Sequence, residues 1–201
     1  DGDLDLLVTG TTNGSTGVTQ LYRNDKGIFV NLNLSLPALY DSAVAWGDYD
    51  SDGDLDLVLL GTSDGASRTT ALLRNDGANV FAAVATTLPA LSQGSVAWGD
   101  YENDSDLDLL LTGTTDGATP LSAIFINNGE QGFSSLNRPL ANVLTGAATW
   151  QDDDGDVDLD LLVLGRTANG VVTQLYHSID CVSDLTLSKT VTPASVLPGD
   201  Q

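Results

Sequence analysis

The 201-residue chain has no methionine, one cysteine, one histidine and only seven lysines and arginines. Each scarcity removes a class of explanation. A single thiol, Cys181, cannot close a disulfide within the chain. Near a domain edge it reads as an inert thiol rather than as a bridge to another chain. A single histidine, His177, rules out histidine-rich zinc sites of the usual kind. At a net charge of −21 there is no basic stripe to neutralise nucleic-acid phosphates or to hold the chain on an anionic membrane. No run of about 18 apolar residues offers a membrane span. Glutamate is scarce too: of 28 acidic residues only Glu102 and Glu130 are glutamates. Aspartate suits turns and oxygen-ligand loops, whereas glutamate suits helices, so the charge belongs to loops. A hydrophobic content of 41% is too high for a disordered acidic tail.

What is present is a repeat. Trp46, Trp98 and Trp150 are 52 residues apart, each inside a related stretch: "SAVAWGDYDSDGDLDLVLLG", "SVAWGDYENDSDLDLLLTG" and "AATWQDDDGDVDLDLLVLG". The opening "DGDLDLLVTGTT" matches Asp52–Ser63, so the chain is expected to begin inside a repeat. Each repeat reads as four short strands. Strand one, Ser42–Asp48, alternates small residues (Ala43, Ala45, Gly47) with large ones (Val44, Trp46). Strand two, Leu55–Gly61, is apolar throughout and therefore buried on both faces. Thr70–Asn75 and about Val80–Leu88 follow, joined by the "NDG" turn at Asn75–Gly77, with "NNG" at Asn127–Gly129 in the next repeat. No segment sustains a 3.6-residue period, so helices should be scarce.

A four-stranded unit of about 50 residues cannot bury two apolar faces alone and must stack on copies of itself, which is the logic of a β-propeller blade. The expected fold is all-β: a partial β-propeller of four-stranded antiparallel blades. The repeat region spans 1–180, with complete blades at about 42–90 and 95–140. A partial blade precedes them and a three-stranded one follows at about 146–178. Stacked β-sandwich domains are the rival, but their period is nearer 100.

The aspartates explain the loop between strands one and two. With Asp48 as position one, Asp50, Asp52 and Asp56 fall at three, five and nine, with Gly53 at six. Calcium takes six to eight oxygens at about 2.3–2.6 Å, and alternate residues of a tight loop can turn several carboxylates toward one cation. Glycine at six permits the positive φ that closes such a loop. Asp54 at seven would offer its backbone carbonyl, and Asp106 and Asp158 hold the same place in the later copies. Leu59 at twelve excludes an EF-hand, which needs a bidentate glutamate there. A merely half-exposed strand edge would need neither the glycine nor three copies in one register. The second copy keeps Asp100, Glu102, Asp104 and Asp108 but has Ser105 at six. The third keeps Asp152, Asp154, Asp156 and Asp160 but has Val157 there, and a β-branched residue resists positive φ. The expected order of site quality is therefore first, second, third, with Asp1, Asp3 and Asp5 as a remnant.

"DYDSDGDLDLVLLG" resembles the calcium loop of FG-GAP/VCBS repeats, the blades of integrin-α-like β-propellers, over about residues 1–178. The FG and GAP words themselves are barely present, which favours the bacterial VCBS-like branch. The resemblance implies structural calcium in the loops between strands one and two. After "LYHSIDC" the character changes: "DLTLSKTVTPASVLPGDQ" resembles the start of a bacterial immunoglobulin-like surface repeat, so 181–201 reads as a linker and the beginning of such a domain.

Catalysis is not expected. His177 aligns with Arg23, Arg74 and Ile126 on strand three and reads as a surface residue. No G-x-S-x-G elbow occurs, and acid pairs repeated in every blade suit a structural ion better than an active site. The tryptophans read as blade-to-blade core rather than as sugar platforms. The turns between strands two and three, "TTNGSTG", "TSDGASR" and "TTDGATP", lack aromatics and favour a scaffold or a weak protein contact. The leading expectation is a non-catalytic, calcium-stabilised module for adhesion, display or interaction with proteins or glycans, extracellular or at the cell surface. The alternative is a carbohydrate-binding or polysaccharide-lyase-type propeller whose catalytic residues lie in other blades.

Overall fold

The computed structural model describes residues 2–178 and, for the backbone, 185–190. The apolar runs beginning at Leu57, Leu109 and Leu161 become the second strands of three sheets, β5 (Asp56–Thr62), β9 (Asp108–Thr114) and β13 (Asp160–Thr167). Every residue of β5 and β9 is buried, as consecutive apolar residues require when both faces of a strand are covered. Around them four antiparallel meanders form in chain order. The first has three strands, β1 (Leu6–Thr11), β2 (Gly17–Asp25) and β3 (Ile28–Asn31). The second is β4 (Tyr40–Gly47), β5, β6 (Arg68–Asn75) and β7 (Phe81–Val84). The third is β8 (Val96–Gly99), β9, β10 (Pro120–Asn127) and β11 (Phe133–Leu136), with a 3₁₀ turn at Gly129–Gln131 before its last strand. The fourth is β12 (Thr145–Gln151), β13, β14 (Gly170–Ser178) and β15 (Leu185–Thr190).

The fourth sheet thus has four strands where the sequence pattern gives three. β15 pairs along β14, with His177 opposite Thr186. Leu185–Ser188 does alternate apolar with polar residues, and a short edge strand needs no more than that. Residues 179–184, which include Cys181, and 191–201 lie outside the described residues, and with them most of the expected immunoglobulin-like start. The four sheets do not close into a ring.

The sheets pack through their first strands. β4 lies against β1 and β8, and β12 lies against β8 and β9. The two faces of β4 serve different neighbours, as its alternation of small and large residues dictates. Val44 and Trp46 join Leu7, Leu39, Leu57 and Leu59 toward the first sheet. Ala43 and Ala45 join Val58, Leu60, Leu109 and Trp98 toward the third. Tyr101, Trp150, Leu161 and Ala97 repeat the arrangement one sheet on. The crossovers between sheets are anchored by Leu39, Leu91 and Val143, again 52 apart, which are almost fully buried. Their backbone N–H groups donate to Thr19, Thr70 and Ser122 hydroxyls respectively.

Candidate metal centre

The three acidic loops join strand one to strand two at the same end of their sheets and share a backbone fold. In the first, the carboxylate of Asp48 accepts from the N–H groups of Asp52 and Gly53 at 3.0 and 3.1 Å. Asp100 does the same for Asp104 and Ser105 at 2.9 Å each. Asp152 accepts from Gly155 at 2.7 Å and Val157 at 3.2 Å. The residue at position six is left-handed in all three, with φ of 94° at Gly53, 76° at Ser105 and 81° at Val157. Position four is left-handed as well: Ser51 at 60°, Asn103 at 56° and Gly155 at 82°. The third loop therefore carries its glycine at four instead of six, and Val157 is held in a conformation that branching at Cβ disfavours.

Position nine is a tether. Asp56, Asp108 and Asp160 are buried, at 0%, 1% and 0% exposure. Each spends one oxygen on the loop and the other on the end of strand three. Asp56 accepts from Tyr49 at 3.1 Å and Asn75 at 2.8 Å. Asp108 accepts from Tyr101 and Asn127, and Asp160 from Asp153 and Ser178. Burial nevertheless pushes Asp56 up from the ordinary carboxylate value and Asp108 up to about 6, because two backbone donors do not replace lost water. Position five closes the turn: Asp52, Asp104 and Asp156 accept from the N–H of Asp54, Asp106 and Asp158.

The carboxylates converge in two loops. Asp48, Asp50 and Asp56 place one oxygen each within 4.8 Å of one another, and so do Asp152, Asp154 and Asp156. At such distances each pair of charges repels by roughly 1 kcal/mol in water and by more near a protein surface. Loss of hydration, then the charge of Asp52, raises the carboxyl of Asp50. Among the described residues, Asp100, Glu102, Asp104 and Asp108 form no such group. Convergence thus runs first and third, not first and second. Asp52 and Asp54 are exposed and lie outside the first group; Asp106, at the same place as Asp54 in the second loop, is half-buried and belongs to no such group either. Asp158 is buried and accepts from Asn103 Nδ2 at 2.7 Å, linking the third loop to the second. The all-oxygen donor sets of the first and third loops fit a hard divalent cation.

Strand three also reaches the site, which the sequence did not disclose. His177 Nδ1 lies 3.1 Å from Asp154 Oδ2 and 3.6 Å from Asp160 Oδ2. Its side chain is 19% exposed: a residue at the surface, as expected, but one turned onto the acidic loop. Arg74, in the same register, helps line a cleft with Tyr49, Asp50, Asp106 and Asn127. Asn127 Nδ2 donates across sheets to the Tyr49 carbonyl at 2.9 Å. A run of polar residues at the end of strand three was the available signal, and only the hairpin register places it over the loop.

At the opposite end, the turns between strands two and three are satisfied internally. Asn13, Asp64 and Asp116 each accept from the N–H groups two and three residues on. These bonds hold Asp64 and Asp116 below the usual carboxylate range.

A family model described as an FG-GAP-like repeat matches residues 1–59, a stretch that includes the whole first acidic loop. No curated protein and no solved structure matches the chain.

Proposed function

We propose that the chain is a non-catalytic β-propeller-type interaction module whose acidic loops hold calcium, and that it serves adhesion or display outside the cell through protein or glycan partners. The observation that carries the reading is the convergence of Asp48, Asp50 and Asp56 in a loop that shares its tethers and left-handed residues with two further copies. The FG-GAP-like match over this loop supports the interaction role. Calcium would screen the converging charges and draw together the loop, strand two and strand three, all of which already meet at Asp56. Extracellular calcium modules bind at roughly 10⁻⁴–10⁻³ M, and at ten times the dissociation constant one site adds about 1.4 kcal/mol by mass action. Sites that weak fill where calcium is plentiful, which favours an extracellular setting. The threefold repetition of one acidic loop, with polar turns satisfied internally at the other end, favours a scaffold over an enzyme.

Calorimetric calcium titration of the chelator-treated protein tests this. Asp50→Asn is the informative variant, because it leaves the Asp48 and Asp56 tethers in place. Saturable heat that weakens in Asp50→Asn is the expected result. No heat in the wild type, or equal heat in the variant, would defeat the calcium reading.

A further inference from the structure

The third loop differs from the other two in chemistry as well as in sequence. Position two is tyrosine in the first two loops, Tyr49 and Tyr101, and aspartate in the third, Asp153. The facing position on strand three is Arg74, then Ile126, then His177. The two changes meet in space. His177 Nδ1 faces Asp154 and Asp160, and the three offer donor atoms within 4.8 Å of one another. The other ring nitrogen, Nε2, faces Asp153 Oδ2 at 3.8 Å. Calcium prefers oxygen throughout, whereas imidazole suits zinc and its neighbours. Donors held about 2.0–2.2 Å from one ion at tetrahedral angles stand roughly 3.3 Å apart. The 3.1 and 3.6 Å from Nδ1 to the two carboxylates bracket that spacing. A carboxylate bonded to the far ring nitrogen is the usual means of orienting a ligating histidine, and Asp153 stands beside that nitrogen, though at 3.8 Å it is outside hydrogen-bond range. Asp160, fixed by the N–H groups of Asp153 and Ser178, is a preset ligand.

We propose that Asp154, Asp160 and His177 form a site for a borderline divalent ion of the zinc type, with Asp153 as the positioning residue for the imidazole. This refines the cation-cage reading for the third loop alone and leaves the first loop to calcium. Three protein ligands would leave a fourth coordination position for water.

The test uses the full chain after chelation, carrying Cys181→Ser to remove the only thiol. Co²⁺ and Zn²⁺ are titrated, with calorimetry and the visible absorption of bound Co²⁺ as readouts, and calcium is titrated in parallel. One Co²⁺ per chain, with tetrahedral-type absorption displaced by Zn²⁺, is expected. His177→Gln and Asp154→Asn should each abolish the absorption, and Asp153→Asn should weaken binding about 10- to 100-fold. Asp64→Asn, in a turn at the opposite end of the second sheet, should leave the Co²⁺ absorption unchanged. Unaltered Co²⁺ binding in both His177→Gln and Asp154→Asn overturns the proposal. Calcium binding without any Co²⁺ or Zn²⁺ binding overturns it while sparing the calcium reading. Co²⁺ binding that depends on His177, with no calcium heat, upholds it and removes calcium instead.

Discussion

Gly47 lies against the indole of Trp98: a β-carbon built on the glycine would stand 2.6 Å from Cδ1 and 2.8 Å from Cγ. One sheet further on, Gly99 meets Trp150 at the same 2.6 Å. The small faces of β4 and β8 are therefore the seats of the next sheet's tryptophan. Gly47→Ala should force the indole out of place and destabilise the protein by about 1–3 kcal/mol, the usual cost of overpacking. Denaturant unfolding measures it. An unchanged midpoint would mean the tryptophan is loosely seated and free for another role.

Val157 is 77% exposed and left-handed at φ 81°, so it gains little from burial and bears the strain of its branch point. Val157→Gly should stabilise the fold by about 1 kcal/mol, at the low end of the cost of a non-glycine residue in that region, because the unfolded chain's added freedom opposes part of the relief. Thermal unfolding with and without divalent cations checks it. A lower midpoint for the variant would contradict the strain.

The same residue shows what was legible beforehand. The 52-residue spacing of Trp46, Trp98 and Trp150 disclosed the repeat, and the run at Leu57–Leu60 disclosed the doubly covered strand, because both are properties of one chain segment. The left-handed turn at Val157 ran against its own propensity: the N–H bond to Asp152 and the flanking strands fix the loop whatever residue stands there. His177 was out of reach for another reason. Alternation tells which face a side chain takes, but not which loop that face overhangs. The crossover anchors Leu39, Leu91 and Val143 were periodic too, yet their "LPAL" and "ANVL" surroundings carry no strand pattern to mark them as core.

Asp108 and Asp104 belong to one loop and do different work. Asp104 is exposed and closes a turn. Asp108 is buried and satisfies the N–H groups of Tyr101 and Asn127. Asp108→Ala orphans both donors, at about 1–3 kcal/mol each. Asp104→Ala should cost well under half as much. Unfolding midpoints compared in chelator separate the tether from any cation effect. Equal losses would refute the division.

The buried carboxylates also fix the sign of the pH dependence. Burial raises Asp108 from 3.8 to about 6 in the folded protein and moves Asp56 in the same direction. The folded state therefore holds more protons than the unfolded chain between about pH 4 and 6, and stability falls as pH rises through that window. The contribution is full below about pH 4 and gone above about 6. Asp64 and Asp116, held low by turn N–H groups, act oppositely: their share is present above the ordinary carboxylate value and lost on further acidification. The chelator-treated protein should accordingly lose stability from about pH 4 to 6. Repulsion within a chain of net charge −21 has the same sign, so Asp108→Asn is the control that isolates the buried group, and it should flatten part of the slope. Millimolar calcium should flatten more, since a cation favours the ionised carboxylates. Thermal midpoints across pH 4–7 in the four combinations of variant and calcium give the answer. A cation-free wild type that grows more stable across that window would show that the tethers satisfy Asp108 fully as an anion.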